Sequence, residues 1–294
     1  MGKCEKWTIA YRKRSDNNTI LDDNVSPFIV LPNTWRYWRA DPFLFEKDGK
    51  TYLFAELYDR VAMRGVIGCC ELSDKGADKW NVIINESFHL SYPFLFSDSN
   101  EIFMIPESFR SGKIIVYRSV EFPYVWEQVK AIADYSAVDS TLFEIEGKKY
   151  LFTVKVRDSN GEPTVIALDD DLNILDELSV SGNNADNLRP AGNVFDHKNK
   201  IIRPAQDCSK GYGFALNFFE INIINRKEFD EKLLRKLSPN DITIKGVPDP
   251  KGIHTYNFSS CYEVIDYKEY EFGLVSKAAK LIRLITQKFV GRHK

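Results

Sequence analysis

The chain has 294 residues, 44% of them hydrophobic and 13% aromatic, with a formal net charge of −2. That is enough apolar surface for a substantial core in one large domain or two small ones, and the near-neutral balance gives no electrostatic reason to expect nucleic-acid binding. Its five cysteines, Cys4, Cys69, Cys70, Cys208 and Cys261, are odd in number and contain no CxxC pair, which argues against a disulfide framework or a zinc site and fits a reducing compartment.

The N-terminal stretch Met1-Gly2-Lys3-Cys4-Glu5-Lys6-Trp7 has no apolar segment behind it, and no run approaches the roughly eighteen apolar residues of a spanning helix. Neither an export signal nor a membrane span is expected. Trp7 to Arg12 reads as a strand. Residues 20 to 37, carrying Pro27 and Pro32, then lead into Arg39-Ala40-Asp41-Pro42-Phe43-Leu44-Phe45. This pattern returns about every fifty residues, as Ser91-Tyr92-Pro93-Phe94-Leu95-Phe96, as Val138-Asp139-Ser140-Thr141-Leu142-Phe143, and more loosely as Arg189-Pro190-Ala191-Gly192-Asn193-Val194-Phe195.

After each closing Phe comes a polar turn, such as Asp48-Gly49-Lys50 or Glu146-Gly147-Lys148, and then an apolar run, such as Tyr52-Leu53-Phe54 or Tyr150-Leu151-Phe152. Two β-rich runs joined by turn residues predict a hairpin. Third strands are predicted at Gly65 to Cys70, Lys113 to Arg118 and Pro163 to Leu168. Fourth strands are predicted near Trp80 to Ile84, Trp126 to Val129 and Ile174 to Leu178. Four short strands per repeat is the signature of a propeller blade. The fourth repeat runs through Ile224, with a short helix or loop crossing expected over 226 to 237. A fainter fifth set comprises Asp241 to Ile244, Gly252 to Phe258 and Tyr262 to Ile265. The expected fold is therefore all-β, a five-bladed β-propeller over residues 1–268, with the N-terminal strand completing the last blade and removing an exposed edge.

Residues 269–294 break the pattern. Leu274, Ala278, Leu281, Ile282, Ile285 and Phe289 recur at helical spacing among Lys277, Lys280, Arg283, Lys288, Arg292 and Lys294, predicting a basic amphipathic C-terminal helix. Such a helix fits two placements: docked on the propeller's side, or lying through residues 273–290 on an anionic membrane surface.

First strands of propeller blades line the central axis, so Arg39, Asp41, Tyr92, Asp139, Arg189 and His254 are expected around one funnel. Glu56, Glu107, Lys155, Gln206 and Asp207 end the antiparallel second strands and return to the same rim. Paired carboxylates suit glycosidic bond chemistry, one donating a proton and one acting as base or nucleophile, and arginines add recognition of carboxylate or phosphate. Other roles stay open. Asp41 before Pro42, and Asp139 before Ser140, also fit turn openers; Arg39 and Arg189 also fit structural pairing with Asp41 or Asp207; His254 also fits a hydrogen-bonded turn histidine. No histidine pair has metal spacing, so no cofactor is expected, with Ca²⁺ on Asp and backbone oxygens left open.

Trp38-Arg39-Ala40-Asp41-Pro42-Phe43, Ser91 to Phe96, Pro106-Glu107-Ser108, Arg189 to Asn193, Arg203-Pro204-Ala205-Gln206-Asp207-Cys208-Ser209 and Gly252-Ile253-His254-Thr255 together resemble the propeller domain of the glucosamine inositolphosphorylceramide transferase family. The resemblance covers roughly residues 5 to 266, and that domain is similar to the five-bladed fold of glycoside hydrolase families 43, 32 and 62. It implies a carbohydrate-active enzyme of surface-glycan assembly or modification. In family 43 a first-blade Asp is general base, a later Asp tunes the acid, and a fourth-blade Glu is the acid. Asp41 matches the first and Asp139 is the counterpart of the second, but the fourth repeat offers Arg189 and Asn193 where the Glu belongs, leaving Glu107 to supply the proton from another blade. The expected catalytic residues are thus Asp41, Glu107 and Asp139. Arg39, Tyr92, Lys155, Arg189, Arg203, Gln206, Asp207 and His254 are expected to hold the substrate, a glycan, nucleotide-sugar or lipid-linked sugar, at the cytoplasmic face of a membrane. The competing class is a non-catalytic glycan-binding propeller or scaffold.

Overall fold

The computed structural model describes residues 3–15, 18–22, 26–157, 160–180 and 189–272. Strand segments follow one another along the chain and form five antiparallel sheets arranged as blades. Blade I comprises β3 (Tyr37–Lys47), β4 (Lys50–Asp59) and β5 (Arg64–Ser73), with the short β6 (Gly76–Ala77) and β7 (Asn81–Ile84) both on the outer edge of β5. Blade II is β8 (Ser91–Asp98), β9 (Glu101–Glu107), β10 (Ile114–Glu121) and β11 (Val125–Ala133). Blade III is β12 (Ala137–Ile145), β13 (Lys148–Arg157), β14 (Asn160–Leu168) and β15 (Ile174–Ser179). Blade IV is β16 (Phe195–His197), β17 (Lys200–Asp207), β18 (Ala215–Ile224) and β19 (Phe229–Leu237).

Blade V is assembled from both ends of the sequence, in the order β20 (Ile253–Phe258), β21 (Tyr262–Phe272), β1 (Lys3–Lys13) and β2 (Ile29–Val30). All eleven residues of β1 pair with β21, from Lys3 opposite Phe272 to Lys13 opposite Tyr262. The closure expected from the sequence is therefore present. A buried polar group reinforces it: Arg12 Nε sits 2.5 Å from Glu263 Oε2, its guanidinium lies 4.2 Å from the Phe28 ring, and Tyr256 donates its hydroxyl to Glu263 Oε1 at 2.5 Å.

Apolar residues fill the seams between blades. Phe43, Phe54, Tyr92, Phe94 and Met104 belong to a cluster spanning blades I to III, and Phe218, Tyr256, Ile265 and Leu216 to one spanning IV and V.

Three expectations are corrected. Residues 229–237 form the outer strand of blade IV, not a helix or loop crossing. The strand expected over Asp241 to Ile244 is absent; Pro239–Asp241 makes a 3₁₀ turn and Ile244 makes only isolated bridges, to Phe28 and Val247. The last strand continues to Phe272, beyond the expected boundary at 268. The expected C-terminal helix falls, from residue 273 onward, outside the described residues, and among the described residues no helix is long and apolar enough to cross a membrane.

If Arg12 and Glu263 hold the ring closed, Glu263→Ala strands a buried guanidinium and lowers unfolding free energy by about 3–5 kcal/mol. Urea denaturation checks this; a loss below about 1 kcal/mol would mean the pair carries no closure energy.

Candidate functional site

The axial strands share a backbone device. In β3, β8, β12 and β20 the pairing with the second strand skips two residues, Asp41-Pro42, Tyr92-Pro93, Asp139-Ser140 and His254-Thr255. Asp41, Tyr92 and Asp139 each adopt positive φ, at 51°, 44° and 49°. Such bulges break the alternation of the strand and re-aim side chains, at a cost in backbone strain. Here they turn the three side chains onto the axis. Blade IV reaches the axis with Gly192 instead, at φ 139°, where a Cβ would collide with the Tyr256 carbonyl.

Hydrogen bonds across the axis then tie the blades together. Asp41 N donates to Asp266 Oδ2 at 2.8 Å, Tyr92 N donates to Asp41 Oδ2 at 3.2 Å, and Thr255 Oγ1 donates to Asp41 Oδ1 at 2.9 Å. Tyr92 Oη lies 2.8 Å from Thr141 Oγ1 and accepts from Gly192 N at 2.7 Å. Asn193 N donates to Asn257 Oδ1 at 2.8 Å, closing the circuit from blade IV to blade V.

His254 lies between two carboxylates, with Nδ1 2.7 Å from Asp266 Oδ2 and Nε2 3.6 Å from Asp41 Oδ1. Its ring stacks on Trp7 at 3.8 Å. Burial opposes the imidazolium, but Asp266 and Asp41 outweigh it and raise the His254 pKa. Asp41 is buried, and that burial pushes its pKa up to about 6 against the pull of His254, with Asp139 and Asp266 adding to the rise.

On the opposite side Arg189 bridges two blades, pairing through Nε with Asp139 Oδ2 and through Nη2 with Glu107 Oε2 at 2.9 Å. Gln206 Nε2 donates to the same Asp139 oxygen at 2.9 Å. Burial drives Glu107 well above the usual carboxyl range even though Arg189 opposes the shift. Glu56 is driven up by burial and by Asp41, Glu107, Asp266 and Asp139. The mouth is cationic and aromatic: the Tyr212 ring, 42% exposed, lies 5.3 Å from the Arg189 guanidinium and edge-on to His254 at 5.3 Å.

The structure thus brings Asp41, Glu107, Asp139, Arg189, Gln206 and His254 together, and Tyr92 with them as a fully buried tie whose hydroxyl is engaged between blades. Four expected substrate contacts lie elsewhere. Arg39 donates to the Pro32 carbonyl at 2.7 Å and packs 4.9 Å from the Trp80 ring, in the seam of blades V and I. Arg189 and Arg39 differ by one residue in register, Arg189 opposite Gln206 and Arg39 opposite Leu57, and one residue reverses the face. Lys155 pairs with Glu177 and lies 4.3 Å from the Tyr135 ring within blade III. Arg203 makes a two-pronged pair with Glu231, 2.7 and 2.6 Å, against Phe152. Asp207 pairs with Lys236 and accepts from Ser209 N at 2.8 Å.

Asp266 was missed. It occupies the second-strand position facing the bulge, which the first three blades give to Ala55, Pro106 and Thr153, so a charge there is the signal. Asp41, His254 and Asp266 bring potential ligand atoms within 4.8 Å of one another and are the described residues that could hold a cation. Ca²⁺ takes about six to eight oxygens, more than this set supplies, and a protonated His254 offers no lone pair.

The family model described as glucosamine inositolphosphorylceramide transferase 1, N-terminal, matches residues 33–246. The chain belongs to this family. Glucosamine inositolphosphorylceramide transferase 1 of Arabidopsis thaliana is 31% identical over 202 residues, covering 65% of this chain and 26% of that protein. The protein of the same name from Oryza sativa subsp. indica is 30% identical over 203 residues, covering 65% and 27%. The chain matches only about a quarter of the length of these relatives. Among solved structures, a family 43 β-xylosidase/α-arabinofuranosidase from a compost microbial metagenome superposes with TM-score 0.58 at 12% identity, covering 83% of this chain and 88% of that one. The α-L-arabinofuranosidase from Lactobacillus brevis gives 0.54 at 12%, covering 78% and 82%. These two share the fold. The resemblance read from the sequence is borne out.

The raised pKa of His254 depends chiefly on Asp266, so in Asp266→Asn the imidazolium loses its proton at lower pH. NMR titration of the ring signals in this four-histidine chain checks it. An unchanged midpoint would contradict the pairing.

Proposed function

We propose that the axial cluster is the active site of a carbohydrate-active enzyme that cleaves or transfers a glycosyl unit of an acidic or phosphate-linked sugar. The observation that carries this reading is the meeting of buried Asp41 and Asp139 and half-buried Glu107 with Arg189 at one point of the ring. Carboxyl groups whose surroundings move their pKa values apart divide the work of base and acid. Asp41, at about 6, is mostly ionised at neutral pH and suits a base that takes a proton from water or an acceptor hydroxyl. A second carboxyl held protonated at the ends of β4 and β9, where Glu56 and Glu107 occupy equivalent places, suits the donor. Asp139, held by Arg189 and Gln206, lies beside the donor and tunes it.

The mouth supports this substrate class. Arg189 lies at the mouth, where Tyr212, exposed to solvent, offers an aromatic face 5.3 Å from its guanidinium. Guanidinium groups favour carboxylate or phosphate, and aromatic faces suit sugar rings. The relatives are named for a transferase of glucosamine and a phosphate-bearing lipid, which agrees with this class.

Non-catalytic glycan binding is the second reading, favoured by the way one arginine engages both Glu107 and Asp139. The two separate on turnover of sugar nucleotides and acidic aryl glycosides by wild type and Asp41→Asn. Catalysis predicts turnover by wild type that falls about 10²–10⁴-fold in the variant with the fold intact by circular dichroism. Binding without turnover by wild type supports the binding module, and turnover undiminished in Asp41→Asn removes Asp41 from the reaction.

A further inference from the structure

Five carboxyl groups meet at the axis, and four of them receive donors. Asp41 accepts from Thr255 and Tyr92 N, Asp266 from Asp41 N and Thr255 N, Asp139 from Arg189 and Gln206, and Glu107 from Arg189. Glu56 is different. It is 5% exposed, its Oε1 is out of contact with solvent, and that oxygen receives no well-formed hydrogen bond.

Among the described residues its one ion-pair contact is His89, whose Nε2 lies 3.3 Å from Oε1. His89 Nδ1 accepts the Gly65 N–H at 2.9 Å, so the ring proton sits on Nε2, facing Glu56. Burial, with Arg110 and Arg189 nearby, lowers the His89 pKa to about 4 and keeps the ring neutral. Among the described residues no cation forms an ion pair with Glu56, while Asp41, Glu107, Asp266 and Asp139 all oppose a charge on it. An unpaired carboxylate in such a place is strongly disfavoured, and the group keeps its proton. Glycine at position 65 makes the placement possible, because a Cβ there would stand 2.5 Å from Glu56 Oε1.

We propose that Glu56, in preference to Glu107, delivers the proton to the departing glycosyl oxygen, with His89 as the positioning residue that holds its carboxyl. The inference rests on the enzymatic reading given above. As the bond between the anomeric carbon and the leaving oxygen breaks, its electron pair goes to that oxygen, which takes the Glu56 proton. Water or an acceptor hydroxyl forms the new bond to the anomeric carbon and gives its proton to Asp41. Exchange with solvent then restores both groups. Glu107 is the weaker candidate because the Arg189 guanidinium, 2.9 Å away, stabilises its charged form.

Two measurements on the full chain test this. Infrared difference spectra at neutral pH should show a protonated-carboxyl C=O band that is lost in the near-isosteric Glu56→Gln and kept in Glu107→Gln. On sugar nucleotides and aryl glycosides, Glu56→Gln should lose about 10²–10⁴-fold with poor leaving groups and little with dinitrophenyl glycosides, whose leaving group needs no proton. His89→Phe should move the alkaline limb of the pH–rate profile, a shift that a purely structural histidine would not produce. A spectrum from which Glu56→Gln removes no protonated-carboxyl component, or an equal loss with both kinds of leaving group, overturns the assignment while the enzymatic reading stands. Absence of turnover by wild type removes that reading and the donor role with it, even with the band assigned to Glu56.

Discussion

Eleven consecutive backbone pairings between β1 and β21 join distant parts of the chain, and the position of every polar group at the axis depends on them. An open row of sheets would leave Asp41 of blade I and Asp266 of blade V on separate edges. Closed, it sets them 2.8 Å apart, backbone nitrogen to carboxylate oxygen. The left-handed bulges then work on a fixed ring, each turning one polar side chain into space that neighbouring blades have already walled off from water.

That arrangement is electrostatically expensive, in a way that separates the site from the scaffold. Arg12 with Glu263 and Arg203 with Glu231 are buried one-to-one pairs lying between strands, and they need no further function. At the axis five carboxyl groups share one arginine and one histidine, whose pKa Asp266 and Asp41 raise. For Asp41, whose pKa rises from an ordinary value near 3.8 to about 6, the folded state holds the proton more tightly than the unfolded chain does. The group therefore costs stability that is lost progressively as pH rises through that window and is fully lost above it. Stability given up in one place, with strained backbone at the same residues, is the usual mark of a functional site.

Much of the fold was legible because hairpins announce themselves through turn residues and flanking apolar runs, and four copies fix a period. The outer strand Phe229–Leu237 was not, since it faces solvent along much of its length and its charges hide the alternation. At the site, Asp41, Asp139, Glu107 and Arg189 were found by repeat position. Lys155 and Asp207 share the same strand ends but turn to partners within their own blades, and Arg39 differs from Arg189 by a single step of register. Side-chain direction near a bulge is set by one residue more or less in the ladder, and a loose repeat does not specify it. Asp266 was visible only as a charge where other blades carry small or uncharged residues.

The ring gathers these carboxyl groups into a common region shielded from water. A ¹³C NMR titration of the aspartate carboxyls, with Asp41 assigned through Asp41→Asn, measures this at the residue where the blades meet. The account predicts a midpoint of about 6 for Asp41. A midpoint near the ordinary aspartate value of about 3.9 would mean a solvated, isolated side chain and would contradict it.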